Sequence, residues 1–197
     1  MNYPVYKEAR RAAWSFLIEN KVTALPLSFS SICQRSGISI YRDNSFIYLR
    51  EGQHGAAFLR DGRYNILVSG SDSIEVQRMT IAHEIGHIYM RHPMKDSEFG
   101  RTFGICHEPV SPEEYQAERF AVNILAPACV LKAAGVLTAA GISELCRIPM
   151  KEAKRRADRM RTLIKRGKFL TDPLEAEVYE QFRSFAEACG PGGAEHG

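Results

Sequence analysis

The chain has 197 residues, 45% of them hydrophobic and 25% charged, which is enough for one substantial core and an appended segment. Its formal charge of +3 is too small to indicate a nucleic-acid partner by itself. No apolar run reaches membrane-spanning length and the N-terminus lacks a signal core, so we expect a cytoplasmic protein. Five widely spaced cysteines without a CxxC pair predict reduced thiols rather than a disulfide framework.

The first part of the chain predicts two helices followed by strands. Apolar residues at helical spacing indicate a helix over residues 3–20, and a shorter one is expected over 28–35, ending at Gly37. Residues 38–41 predict a strand, whereas 46–49 suit either a strand or a turn.

A β-hairpin is predicted next. Residues 56–60 and 63–68 have strand character, and they flank Asp61-Gly62, a strong signal for a two-residue hairpin turn. The hairpin leads almost directly into a long helix.

That helix is predicted over residues 73–92. Asp72, followed three residues later by Glu75, fits a capping box at its start. Pro93 is expected to end it, since proline cannot continue a helix.

The helix contains the pentapeptide His83-Glu84-Ile85-Gly86-His87. Residues four apart lie on one face of a helix, so His83 and His87 can offer two imidazole nitrogens to one metal ion. The Glu84 carboxylate beside them is placed to take a proton from a metal-bound water. This pattern is the HExxH motif of zinc metallopeptidases.

The remaining elements are predicted to be helical. Residues 94–110 are expected to form a polar connection, after which Ser111 fits an N-cap and Pro112 the first turn of a helix that runs to Pro127. Glycine and proline then separate four further helical segments, at 128–134, 138–146, 150–166 and 173–188.

Zinc in a peptidase usually takes three protein ligands and leaves the fourth position for water. A third histidine at the HExxHxxGxxH spacing is absent, because Met90 and Pro93 occupy the relevant positions, and this favours a glutamate on the next long helix. The spacing leaves open the candidates His92, His107, Glu108, Glu113, Glu114 and Glu118. Glu114 also follows Ser111 by three residues, so a purely capping role is the alternative for it.

Glu114 and Glu118 lie four apart on one helix face. One of them could bind the metal while the other holds a ligand histidine through its distal nitrogen.

Two segments resemble the ImmA/IrrE family of metallo-endopeptidases: AHEIGHIYMRH and EYQAERFAVNILAP, with 27 positions from His87 to Glu114. Family members combine HE(I/L)GH, a histidine shortly after it, and an E-x-x-A-N/D-x-F-A-x-x-L-L-x-P segment. The second motif matches here at Glu114, Ala117, Phe120, Ala121, Leu125 and Pro127, with Ile124 in place of the first leucine. Glu118 departs from the family's Asn or Asp. The resemblance extends over about residues 9–166.

The resemblance implies that His83, His87 and Glu114 bind Zn²⁺, that Glu84 is the catalytic general base, and that Glu118 stands where a supporting residue is found. It further implies an intracellular zinc endopeptidase that cleaves a regulatory protein, a helix-turn-helix repressor of a phage, mobile element or stress response. An extended substrate is expected to pair with a sheet edge near residues 64–68. The donor to the oxyanion is left open among Tyr89, Tyr115, His92 and His107.

We therefore predict an α+β fold, with a small twisted β-sheet packed on the zincin-like HExxH helix and a helical C-terminal half. The expected division is a zincin-like metallopeptidase domain at 1–134, a helical extension at 135–189 and a disordered tail at 190–197. No membrane partner is expected.

A different class of function is the alternative: a regulatory protein that keeps the zinc site but acts by binding a repressor or DNA, or a toxin–antitoxin component. An intact Glu84 favours the enzyme, because a pure binding protein has no need of it. Residues 151–168 carry nine basic side chains and two acidic ones, which we interpret as a solvated helix because no aromatic face accompanies them. Cys106-His107 is interpreted as a loop pair; a thiol that covers the zinc is the alternative.

Overall fold

The computed structural model describes residues 3–45, 47–49, 52–93, 101–104 and 111–189. Contacts divide the chain into two compact units, one of residues 1–9 and 28–121, the other of 10–27 and 122–197. None of the described helices is long and apolar enough to cross a membrane. The predicted α+β class is confirmed, while the predicted domain boundary at residue 134 stays a prediction.

The first unit contains a mixed four-stranded sheet of order β1-β3-β2-β4, formed by β1 (Ser39–Asp43), β2 (Gln53–Arg60), β3 (Arg63–Ser69) and β4 (Arg101–Gly104). β1 runs parallel to β3, and β2 runs antiparallel to both β3 and β4. β3 is therefore paired on both sides, so the prediction of an open sheet edge near residues 64–68 is wrong. β4 lies within the connection predicted over residues 94–110. Its four residues have no strand pattern of their own, so the strand was not predicted; it forms by pairing with β2.

The predicted hairpin is confirmed. Arg60 pairs with Arg63, and the two residues between them, Asp61 and Gly62, have φ of 50° and 71°. Positive φ at both central positions is the turn conformation whose twist matches paired strands.

Helix α3 (Ile74–Tyr89) packs on β2 and β3. It is shorter than predicted at both ends. Its N-cap is Ser73, whose hydroxyl accepts a bond from the Val76 amide at 3.3 Å. The capping box predicted at Asp72 is wrong, because the Asp72 carboxylate instead lies 2.8 Å from Nδ1 of His54.

Three further helices lie wholly or partly in the first unit: α1 (Tyr3–Glu19), α2 (Phe29–Ser36) and α4 (Pro112–Leu125). Gly37 ends α2 with φ of 66°, as the sequence predicts. α4 begins where expected, since the Ser111 hydroxyl accepts the Glu114 amide at 3.2 Å.

The second unit is helical, with α5 (Ala128–Ala133), α6 (Ala139–Cys146), α7 (Met150–Lys165), α8 (Pro173–Gln181) and α9 (Arg183–Cys189). The prediction of a single helix over 173–188 is wrong, because the helix is interrupted at Phe182. Val178, Phe182 and Ala186 are all buried and keep helical spacing across the break, so periodicity could not reveal it.

Candidate metal centre

His83 and His87 lie one turn apart on α3, and each is only 2% exposed. Their Nε2 atoms are 2.9 Å apart, and their rings meet edge to face. The i, i+4 spacing thus places both imidazoles on one face of the helix, as predicted.

Glu114 reaches the same point from the first turn of α4. Its Oε2 lies 3.2 Å from Nε2 of His83, and its Oε1 lies 3.5 Å from Nε2 of His87. The Ser111 hydroxyl accepts the backbone amide of Glu114 at 3.2 Å. Glu114 is therefore part of a helix cap through its backbone, while its carboxylate faces the two histidines.

These three residues fit a metal ion. Their ligand atoms lie within 4.8 Å of one another. Tetrahedral zinc with bonds of about 2.0–2.1 Å places its ligand atoms about 3.3 Å apart, close to the three separations found here. Of the other candidates, His92, Glu113 and Glu118 are described but do not join this group. His107, Glu108 and the neighbouring Cys106 lie outside the described residues.

The surroundings of His83 and Glu114 favour the protonation states that a cation needs. Burial lowers the pKa of His83 and outweighs the opposing effect of Glu114, so its imidazole is neutral near pH 7. Partial burial by itself would raise the pKa of Glu114, but hydrogen bonds from His83 and His87 dominate and hold that pKa well below its ordinary value. A neutral imidazole and an ionised carboxylate are the protonation states that bind zinc.

Gly86 allows α4 to come close enough for Glu114 to reach the histidines. A Cβ added at Gly86 would lie 3.0 Å from the Phe120 ring and 3.2 Å from the Cα of Ala117. Both contacts are tighter than nine in ten real Cβ contacts. A side chain at Gly86 would therefore require Phe120 or the backbone of α4 to shift by a few tenths of an ångström.

His92 contacts His87, a candidate metal ligand, at the ring nitrogen that does not face Glu114. The two Nδ1 atoms are 3.0 Å apart, and Nε2 of His92 lies 3.1 Å from Oε1 of Gln116. Gln116 in turn donates from Nε2 to Oε2 of Glu8 at 2.9 Å. If Nε2 of His87 offers its lone pair to a metal, its Nδ1–H donates to His92, and every later bond then runs from donor to acceptor as far as the Glu8 carboxylate.

The end of α3 explains how His92 reaches this position. Arg91 has φ of 55°, a left-handed conformation that turns the chain back on the helix. The His92 amide then donates to the carbonyl of His87 at 2.9 Å. From the sequence, His92 was predicted only as a candidate ligand or oxyanion donor, and its contact with His87 was not predicted. The signals that could have indicated it are a histidine five residues after His87 and the histidine that the family carries shortly after HE(I/L)GH.

Glu84 is fully buried on α3, beside His83. Glu118 forms an ion pair with Arg119 at 3.2 Å, and its charge acts on His83 from a distance. Of the residues left open as oxyanion donors, Tyr89 packs on Phe120 and Tyr115 lies under the guanidinium of Arg119.

A buried helix with the HExxH pattern and a glutamate of the next helix beside both histidines is an arrangement that could hold a metal ion, and metallopeptidases use such residues. Residues 33–157, more than half of the chain, match the sequence model of peptidase family M78, described as the IrrE N-terminal-like domain. The chain belongs to this family of metallopeptidases, and the predicted ImmA/IrrE relationship is confirmed. No curated protein matches the chain.

Proposed function

We propose that this protein is a zinc-dependent endopeptidase that cleaves a regulatory protein, a helix-turn-helix repressor of a phage, mobile element or stress response. The observation that carries the proposal is the convergence of His83, His87 and Glu114, with the buried carboxylate of Glu84 on the same helix. The repressor as substrate rests on the resemblance to the ImmA/IrrE family.

In this proposal Nε2 of His83, Nε2 of His87 and the carboxylate of Glu114 hold the metal. When bound, zinc supplies Lewis acidity that polarises a peptide carbonyl and makes a water more acidic. Glu84 takes a proton from the attacking water and returns it to the amine nitrogen as the peptide bond breaks. His92 keeps the ring of His87 in one orientation through the cycle.

The sheet suggests where an extended substrate would lie. β1 and β4 are the outer strands, and α3 contacts β4 as well as β2 and β3. In the proposed enzyme the substrate backbone pairs with the outer edge of β4, which supplies affinity with little dependence on sequence.

The test compares wild type with Glu84→Gln, a change that removes the base but keeps the side-chain volume. Zinc content is measured by elemental analysis, and cleavage is measured on helix-turn-helix repressors of the source genome, beginning with any encoded beside this gene. We expect stoichiometric zinc in both proteins and cleavage only by wild type, with product termini identified by mass spectrometry.

Repressor inactivation by Glu84→Gln would mean that the protein acts by binding, which is the alternative class of function. Absence of zinc from wild type purified without chelators would contradict the enzyme proposal at its first step.

A further inference from the structure

The β-sheet of the first unit has one face that α3 covers and one that it does not. Gly55 of β2 lies against α3, since a Cβ added there would come 2.4 Å from Cγ2 of Thr80. Gly55 pairs with Val68 of β3, so these two residues mark the covered face. Successive residues of a strand point to opposite faces. The other face, which we call the open face, is therefore formed by the even-numbered residues 56–60 of β2 and the odd-numbered residues 63–67 of β3.

Apolar side chains cover part of the open face. A buried cluster on it consists of Leu49, Ala56 and Leu67, and Phe58 packs against the cluster. Beside them is a concave pocket of about 780 Å³, to which both Phe58 and Leu67 contribute. Pockets that bind small molecules have volumes of about 300–1,000 Å³ and are lined mostly by apolar and aromatic side chains. The size and the lining of this pocket therefore fit a small-molecule site.

Two tyrosines extend the aromatic lining of the pocket. Tyr41 of β1 pairs with Leu67, and Tyr48 lies in the loop that follows β1. Tyr41 is 51% exposed and Tyr48 is 53% exposed. Aromatic side chains offer a flat apolar surface against which another ring can stack. Together with Phe58, the two tyrosines make the pocket suitable for a planar aromatic ligand.

Asp43 holds the loop that carries Tyr48. One carboxylate oxygen of Asp43 accepts the amides of Tyr48 and Leu49, at 3.0 and 3.1 Å. The other accepts both the amide and the hydroxyl of Ser45, each at 3.0 Å. Asp43 itself is only 4% exposed. Its negative charge is therefore engaged by these four bonds, which hold the loop in place without a ligand.

The accessible charges of the pocket are positive. Its lining includes Arg42 and Arg60, both of which are exposed. Arg60 pairs directly with Arg63 across the hairpin, and like charges directly opposite each other on paired strands are unfavourable. The Asp61 carboxylate lies 3.9 Å from Nε of Arg60, but it is 93% exposed and offsets little of this repulsion. An anionic group beside Arg60 would therefore be stabilised.

We propose that this pocket binds a small molecule with a planar aromatic ring and an anionic group, the ring lying against Tyr41, Tyr48 and Phe58 and the anion beside Arg60. A carboxylate and a phosphate suit a guanidinium equally, so an aromatic acid and a nucleotide are two sources of this chemistry. None of the lining residues belongs to the candidate metal group, and the pocket lies on the face of the sheet away from α3. The ligand is therefore distinct from the peptide substrate.

The test uses the full chain and isothermal titration calorimetry with three probes: naphthalene-2-carboxylate, its uncharged amide and adenosine 5′-monophosphate. The pocket variants are Tyr41→Ala and Arg60→Gln. The matched controls, Tyr3→Ala and Lys7→Gln, make the corresponding changes at exposed residues of α1. Circular dichroism melting checks that all four variants are folded.

We expect wild type to bind the carboxylate with a Kd of about 1 mM or below. The amide should bind at least about tenfold more weakly, because it lacks the charge-assisted bond to Arg60. Arg60→Gln should remove this preference for the carboxylate, whereas Tyr41→Ala should weaken the binding of both probes and keep the preference. The two controls should bind as wild type does.

The monophosphate separates the two sources of the ligand. Tighter binding of the monophosphate than of the carboxylate, with the same dependence on Arg60, would support the proposal with a nucleotide as the ligand. Weaker binding would support it with an aromatic acid.

Three results would overturn the proposal: no saturable binding of either anionic probe to wild type, equal binding of the carboxylate and the amide, or binding that neither pocket variant weakens. Self-association of wild type that Tyr41→Ala abolishes, measured by light scattering after gel filtration, would assign the open face to a second copy of the chain and also overturn it. The titrations need neither zinc nor cleavage, so the proposed peptidase is tested separately.

Discussion

Nδ1 of His92 lies 3.0 Å from Nδ1 of His87, so a histidine outside the candidate metal-binding group contacts one inside it. A hydrogen bond to the distal nitrogen of a ligand imidazole fixes its tautomer and orientation and raises its basicity. Here two further hydrogen bonds connect His92 to Gln116 and Gln116 to Glu8.

Replacing His92 should therefore weaken zinc binding without removing a ligand. We expect His92→Ala to lower zinc affinity about 10- to 100-fold, measured by competition with a chromogenic chelator. Gln116→Leu should give a smaller loss, because His92 remains but loses its own acceptor. The control is His54→Ala, which removes a histidine bonded to Asp72 instead; an equal loss in the control would contradict the assigned role of His92.

Glu114 should be needed for zinc, and its neighbour Glu113 should not. Among the described residues, Glu114 is the carboxylate grouped with both histidines, so we expect Glu114→Ala to lose stoichiometric zinc and Glu113→Ala to retain it. Elemental analysis after gel filtration measures both. Full retention of zinc in Glu114→Ala would instead mean that the third ligand is Glu113, Glu118 or a histidine.

A methyl group at Gly86 should disturb the site by pushing α4 away. Alanine is the better helix former by about 1 kcal/mol, yet its Cβ would crowd Phe120 and the backbone of Ala117. We therefore expect Gly86→Ala to lower both Tm and zinc affinity. Adding Phe120→Leu should restore only part of the loss, because the backbone contact at 3.2 Å remains. A higher Tm with unchanged zinc affinity would show that α4 shifts to accommodate the methyl group at no cost, and would contradict this prediction.

The first unit should lose stability in acid, because the stabilising carboxylate of Asp43 is then protonated. Its carboxylate accepts the amides of Ser45, Tyr48 and Leu49 and the Ser45 hydroxyl, at 3.0–3.1 Å. Burial opposes ionisation, but these bonds prevail and lower the pKa of Asp43 to about 2. A lowered pKa in the folded state stabilises the fold above the unfolded pKa, near 4, and this stabilisation is lost as the pH falls from about 4 to about 2.

Asp43→Asn should accordingly reduce the free energy of unfolding at pH 7 by on the order of 1–2 kcal/mol and flatten its fall between about pH 4 and pH 2. Urea unfolding across this range provides the measurement. The exposed Asp61→Asn, in the hairpin turn, serves as the control and should change neither quantity. A pH profile of Asp43→Asn that is parallel to wild type would contradict the role of this carboxylate.

The sequence by itself determined the features that depend on neighbouring residues. The i, i+4 spacing places His83 and His87 on one face of α3, Asp61-Gly62 supplies the two positive φ angles of the hairpin, and Ser111 caps α4. Each of these depends on a conformation or hydrogen bond between residues at most four positions apart, so the pattern specifies the outcome.

The tertiary structure alone decided the relationships between distant segments. Spacing left six candidates for the third ligand, and the approach of α4 at Gly86 brings the Glu114 carboxylate to the histidines. The central position of β3, the pairing of β4 and the break at Phe182 were likewise absent from the local pattern. Such contacts form because many weak interactions across the chain outweigh the entropy of closing long loops, and no short stretch of sequence records that sum.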